Sequence, residues 1–284
     1  MNIQEAAFWA TKILSDCQIE QPDVSARILL EELMSVPRTY LITNIEQLLS
    51  SQQEKKFRSW VYRRSKHEPI SYITGKVEFY DQEFRINNNV LIPRPETELL
   101  VERFIGDNKS IITKESQILE IGTGSGAIII TLASRLNGTF FASDISKKAL
   151  QVAILNADKL ECRTNILFKI GNLFEPWKKM KFDFIVANLP YISSQEILEL
   201  SLDITEYEPK IALFGGKSGL EIYREFIIQA PSYLKEKGKI YCEIGEKQDS
   251  EMIKIIKQNF PKSKTELYKD YADITRIISI QNNH

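Results

Sequence analysis

Histidine is nearly absent from this sequence. His67 and His284 are its only two imidazoles, and His284 is the C-terminal residue. A histidine-based catalytic triad or a His-rich metal site is not expected, and no metal is. The three cysteines, Cys17, Cys162 and Cys242, are odd in number and widely scattered. That spacing fits neither a disulfide framework nor a zinc cluster, and it points to a reducing compartment. Neither sign of charge dominates: 37 basic and 38 acidic side chains leave a formal net charge of −1, so no global positive field draws the chain to nucleic acid. One local exception, KKFRSWVYRRSK at 55–66, interleaves Phe57, Trp60 and Tyr62 with cations. A solvated helix face over a buried aromatic stripe is the expected reading, with a local basic patch the alternative. No apolar run is long enough to span a membrane. The opening MNIQEAAFWATK carries Glu5 and lacks the basic region and apolar run of a secretion signal. A cytoplasmic protein with no membrane contact is expected.

What is present organises into three stretches. In residues 1–74, Ile3, Ala7, Ala10, Ile13, Leu14 and Cys17 recur at helical spacing. Pro22 and Asp23 start a second helix carrying Ala26, Leu29, Leu30 and Leu33, which ends before Pro37. Ser51 and Glu54 have capping-box spacing ahead of a third. This reads as a helical bundle, a packing or recognition module without catalytic residues. Residues 75–95 alternate apolar and polar side chains around the turn-prone Asp81-Gln82, which predicts a β-hairpin linker. PRPETELLVERFI then opens a helix, with Pro95 suited to its first turn and Glu96 and Glu98 near its positive end. From there to residue 284 short apolar strands (QILEIG, FFASDI, ILFKIG, FDFIVAN, KIYCEIG) alternate with helical stretches. That pattern predicts an α/β domain, a mostly parallel sheet covered on both faces, with the strand-rich end TELYKDYADITRIISI adding an antiparallel edge.

The first strand of that domain runs into LEIGTGSGAIII. Gly122, Gly124 and Gly126, with Thr123 and Ser125 between them, form a tight strand-to-helix turn that lets a ligand approach the backbone. Such a loop alone also suits a dinucleotide. Asp144 ends the next strand, where a carboxylate can take both ribose hydroxyls, and Glu120 precedes the loop as an acidic neighbour suited to a cationic ligand. Together they resemble the S-adenosylmethionine site of Rossmann-like methyltransferases. Asn172 follows the third strand, where that class often has an acid accepting from the adenine amino group; a turn residue is the alternative. Leu173 would wall the adenine.

The fourth strand, FDFIVAN, ends in Asn188-Leu189-Pro190-Tyr191. Methyltransferases carry an N/D-P-P-Y/F motif here, which acts on planar nitrogens. The lone pair of an amide or aromatic amine nitrogen is delocalised, so the nitrogen is a poor nucleophile. Two acceptors, the Asn188 side-chain oxygen and the Leu189 carbonyl, can fix its two N–H groups, while Tyr191 packs on the planar group. Leu189 replaces the usual first proline and adds an N–H, but its carbonyl remains. N-L-P-Y also occurs in ribosomal-RNA adenine dimethyltransferases, so the motif alone leaves the substrate open.

The surrounding sequence, above all LIPRPETE and then YEPKIALFGGKSGLEIYR, CEIG and DYADITR in order, resembles the HemK-type peptide chain release factor glutamine methyltransferases over nearly the whole chain. The resemblance implies a class I methyltransferase fold using S-adenosylmethionine. It implies methylation of the glutamine amide in the Gly-Gly-Gln motif of release factors 1 and 2, with the bundle gripping the release factor. It makes Asn188, Leu189, Pro190 and Tyr191 catalytic. It gives cofactor contacts to Glu120, 122–126, Asp144, Asn172, Leu173 and Asn188, and substrate contacts to the same turn with Arg94 and Glu98. No direct nucleic-acid contact is expected, and the protein is expected to be monomeric. An adenine-N6 methyltransferase acting on RNA or DNA and a non-catalytic scaffold are the rival readings.

Overall fold

The computed structural model describes residues 1–283; His284 lies outside the described residues. The chain divides into two compact units. One is Met1–Lys76 with Ser201–Tyr207, and the other is Val77–Leu200 with the residues from Glu208 onward.

The first unit is helical. α1 (Ile3–Asp16) starts with Asn2 and Glu5 capping each other's backbone N–H groups, and it buries Ile3, Ala6, Ala10 and Leu14. α2 (Pro22–Met34), α3 (Arg38–Thr43), α4 (Ser51–Arg64) and α5 (Ile70–Thr74) complete the bundle. The capping box of α4 lies one residue earlier than the sequence predicts. Ser50 and Gln53 form it, while Glu54 instead takes the Met1 ammonium at 2.9 Å and Arg58. In the basic stretch Phe57 and Val61 are buried and Trp60 half-buried, but Tyr62, expected in the buried stripe, is exposed; Lys56 lies over Trp60 and Lys66 over Tyr62. Arg64, buried, pairs with Asp203 at 2.6 Å, and Tyr207 donates to the Lys66 carbonyl at 2.6 Å. These contacts account for the membership of 201–207, which nothing in the sequence marks.

In the second unit, β1 (Lys76–Phe79) and β2 (Gln82–Arg85) form the hairpin. Its turn is Tyr80-Asp81, both at positive φ (50° and 62°), the twist that a two-residue hairpin loop prefers. The hairpin belongs to this unit from Val77 onward rather than standing as a separate linker. Phe79 and Phe84 are buried in one core with Phe104 and Ile118, and Asn156 both accepts from Arg85 N and donates to its carbonyl. α6 (Pro95–Asn108) follows. The chain then runs β3 (Gln117–Ile121), α7 (Ala127–Arg135), β4 (Thr139–Asp144), α8 (Lys147–Lys159), β5 (Ile166–Ile170), β6 (Phe182–Ala187) and β7 (Ile192–Ser193). After α9 (Leu202–Thr205), which belongs to the helical unit, come α10 (Lys210–Leu213), β8 (Phe214–Gly216), α11 (Glu221–Gln229), β9 (Leu234–Glu243), α12 (Asp249–Asn259), β10 (Lys264–Lys269) and β11 (Thr275–Gln281).

Seven strands pair in the order β10-β11-β9-β6-β3-β4-β5. β5, β4, β3, β6 and β9 are parallel, and β11 is antiparallel to β9 and β10, the edge expected from the sequence. The parallel strands carry apolar residues on both faces, and two buried clusters fill the space to the helices. From β3 the chain winds outward to β5, then returns to β6 on the other side of β3. Strand order reverses there, and in open α/β sheets the ligand crevice lies beyond the carboxyl ends at such a point.

Candidate active site

A cavity of about 210 Å³ opens beyond the carboxyl ends of β3, β4, β5 and β6. Its floor is the loop after β3. Gly122 has φ +77, and a Cβ there would lie 3.0 Å from Leu189 Cδ2, so a side chain would be both strained and crowded. Gly122 N and Thr123 N donate to the Ser143 carbonyl at 2.9 and 3.0 Å, pinning the loop to β4. Gly124, by contrast, has open space where a Cβ would stand. Thr123 and Ser125 also line the cavity, whereas Gly126 lies outside it as the left-handed N-cap of α7.

Glu120 lines the cavity but is spent on the loop. Its Oε2 accepts from Thr123 Oγ1 at 2.5 Å and Ile129 N at 3.2 Å. Burial pushes its pKa up to about 8, against those two donors, and the Asp144 charge adds to the rise. Besides lining the cavity, Glu120 thus braces the glycine loop against α7. Asp144 keeps both carboxylate oxygens on backbone donors, Oδ2 on Gly124 N and Oδ1 on Ser146 N, each at 2.8 Å. Burial raises its pKa, and the two N–H groups oppose the rise. Asn172 and Leu173 line the same cavity. Leu173 is buried at φ +43, an uncommon value for a side chain with a Cβ. Among the described residues the Asn172 amide group has no protein partner; its backbone N–H donates to Glu175 at 3.1 Å.

Asn188, Leu189 and Pro190 form the opposite wall. The N–H that leucine introduces in place of proline donates to Tyr223 Oη at 3.1 Å, and that hydroxyl donates in turn to the Glu243 carbonyl. The Leu189 side chain is buried beside Gly122. Gly215 makes the turn possible from behind: a Cβ there would stand 2.5 Å from the Pro190 carbonyl oxygen, where β8 pairs with β7. Asn188 Nδ2 donates to Thr97 Oγ1 at 3.0 Å, and Thr97 Oγ1 donates to Glu243 Oε2 at 2.7 Å. Tyr191, expected to pack on the substrate amide, is not among the residues lining the cavity, and it donates to Glu243 Oε1 at 3.2 Å. Burial raises the pKa of Glu243, opposed by these two donors and by Arg276.

Arg94 lines the cavity with its guanidinium held by buried Glu208 at 2.5 Å, and Glu208 also accepts from Ile92 N. Glu98 is elsewhere: it accepts from Tyr80 N at 2.9 Å and ties the hairpin to α6. Glu96 is exposed. The residues that the sequence reading passed over are Thr97, Tyr223, Glu208 and Glu243, together with apolar walls at Val90, Ile128 and Ile145.

A doubly wound sheet with a glycine loop, an acid after the second strand and an Asn-Leu-Pro-Tyr turn at the switch point is a methyltransferase domain, and a family model described as Methyltransferase domain matches residues 112–281. A second, PrmC N-terminal domain, matches residues 5–75. The release factor glutamine methyltransferase of Bacillus subtilis (strain 168) is 37% identical over 98% of this chain and 96% of its own length. The chain belongs to the release factor glutamine methyltransferase family. It is also 39% identical, over 98% of its length, to a bifunctional methyltransferase of Rickettsia prowazekii, but spans only 57% of that relative. The hMettl16 catalytic domain, solved with an RNA hairpin, shares the fold at TM-score 0.56 and 16% identity, over 86% of this chain and 85% of its own. No helix among the described residues is long and apolar enough to cross a membrane, and none of their His, Cys, Asp and Glu side chains cluster as a metal site would need.

Proposed function

We propose that this chain is a cytoplasmic, monomeric enzyme that transfers a methyl group from S-adenosylmethionine to the side-chain amide nitrogen of the Gly-Gly-Gln glutamine in bacterial release factors 1 and 2. The observation that carries the reading is Asn188. Its amide lines the cavity with Nδ2 occupied by Thr97, while Oδ1 has no protein partner among the described residues. That leaves an acceptor for one N–H of an incoming amide, and the Leu189 carbonyl would take the other. Family membership supports glutamine as the bearer of that amide.

The cavity residues fit the cofactor. Asp144, at the end of β4 beside the glycine loop, would take the ribose diol, and Gly124 leaves the backbone open to close approach. Asn172 has a partnerless amide for an adenine edge, and Ile128, Ile145 and Leu173 are apolar walls. When bound, the cofactor supplies a methyl group activated on a positively charged sulfur. The work of the protein would then be orientation: two acceptors would hold the nitrogen toward that methyl group, the C–S bond would break as N–C forms with its electron pair left on a neutral thioether, and one of the two N–H protons would pass to solvent. No histidine lines the cavity, and none is needed for this chemistry. Arg94, fixed by Glu208, is the cation available to the peptide substrate.

The test is a mass spectrum of the Gly-Gly-Gln peptide from release factor incubated with cofactor, with and without the protein. A single added methyl on the glutamine is expected. Label entering RNA and not release factor would establish the adenine reading instead, and failure to bind cofactor in calorimetry would indicate a scaffold.

A further inference from the structure

The structure assigns Thr97 and Glu243 as a polar relay that sets which end of the Asn188 amide faces the cavity, and so makes them positioning residues for the methyl-accepting nitrogen. The inference rests on the reading above.

An asparagine amide can turn over and exchange its oxygen for its NH2 with little change in shape. Turned over, Asn188 would offer two donors to an incoming NH2 group, and donor would face donor. Something has to forbid that state. Thr97 is buried and its hydroxyl has one proton, which goes to Glu243 Oε2 at 2.7 Å. With Glu243 ionised, the state that its Thr97, Tyr191 and Arg276 partners favour, the remaining capacity of Thr97 toward Asn188 is as an acceptor, so only Nδ2 is satisfied there, at 3.0 Å. Glu243 in turn cannot move: it ends β9, is buried, and has Oε1 occupied by Tyr191. Flipping Asn188 would set Oδ1 against the threonine oxygen, lone pair facing lone pair, and leave both groups unmet. The relay therefore presents Oδ1 to the cavity before any substrate arrives.

The test uses the full-length protein with Thr97→Ser, Thr97→Val and Thr97→Ala. Serine keeps the single proton; valine keeps the shape and loses it; alanine avoids any steric objection to valine. Cofactor affinity by calorimetry is expected to stay within about threefold in all three, since Thr97 shares no bond with the glycine loop. In release factor methylation, kcat is expected to fall at least about tenfold, 1.4 kcal/mol, in Thr97→Val and Thr97→Ala, with KM little changed and Thr97→Ser near wild type. Independently of turnover, the Asn188 side-chain NH2 resonances, assigned by their loss in Asn188→Asp, should include one hydrogen-bonded, slowly exchanging proton in wild type and Thr97→Ser. That signature should be absent in Thr97→Val. An unchanged Asn188 signature or unchanged kcat in Thr97→Val overturns the relay. So does loss of cofactor binding in both Thr97→Val and Thr97→Ala, because Thr97 would then be a structural strut. A wild-type protein that methylates no glutamine but shows the predicted resonances would fail the functional reading alone.

Discussion

Replacing Gly122 with alanine tests whether the glycine loop and the Asn-Leu-Pro-Tyr turn are packed as one body. The perturbation has two parts. At φ +77 a Cβ costs about 1–2 kcal/mol through backbone strain. It would also stand 3.0 Å from Leu189 Cδ2, closer than ordinary van der Waals contact. Leu189 is only 4% exposed, so its methyl has little room to retreat, and overpacking adds about 1 kcal/mol. Gly122→Ala should therefore cost about 2–3 kcal/mol. Leu189→Ala alone should cost about 2–4 kcal/mol as a buried truncation. In the double variant the strain stays but the clash is gone, so its cost should fall short of the sum by about 1 kcal/mol, beyond the roughly 0.5 kcal/mol scatter of independent sites. Urea unfolding followed by Trp177 fluorescence, in a Trp9→Phe, Trp60→Phe background, reads this unit alone, because Trp177 is its single tryptophan and is fully buried. Additive costs would refute the coupling: Leu189 would simply swing aside, and the loop and turn would be independent.

Three further outcomes turn on the polar groups of Glu120 and Tyr223. Glu120 has a folded-state pKa of about 8, above its ordinary value; the folded state thus binds more protons than the unfolded one between about 4.5 and 8. The stability of this unit should fall as pH rises through that window, and Glu120→Gln should flatten the slope; a slope that is unchanged in the variant would remove Glu120 as its source. Tyr223→Phe should destabilise by about 1–3 kcal/mol, because the buried Leu189 N–H and the Glu243 carbonyl both lose their partner. Leu189→Pro removes that N–H, and its ring needs the space that the hydroxyl fills. It should then cost at least about 1 kcal/mol less in the Tyr223→Phe background than in wild type, by the same unfolding assay; equal costs would mean that Tyr223 does not serve Leu189.

The main line of the fold is legible because its signals are local. Apolar runs separated by helical stretches specify parallel strands, and Gly122 and Asp144 mark where the loops turn. Hidden features depend on partners far apart in sequence. Nothing near Leu189 announces that Tyr223 will receive its N–H, and nothing near Arg64 announces Asp203. The raised pKa of Glu120 is hidden for the same reason: it comes from burial, which a sequence does not carry.

Thr97 is a different kind of miss, since the sequence did contain it. In PRPETE the charges draw attention to Glu96 and Glu98, both favourable near a helix start. Yet consecutive helical residues point about a quarter-turn or more apart, so three in a row cannot share one face. The buried stripe of α6 is Thr97, Leu100, Val101, Phe104 and Asn108, at helical spacings of three and four. Extending the Leu100-Val101-Phe104 periodicity one turn back lands on Thr97, not on either glutamate. A hydroxyl on an apolar stripe must bond inside the protein, and at the first turn of a helix that follows a cavity-lining segment, the inside is the site.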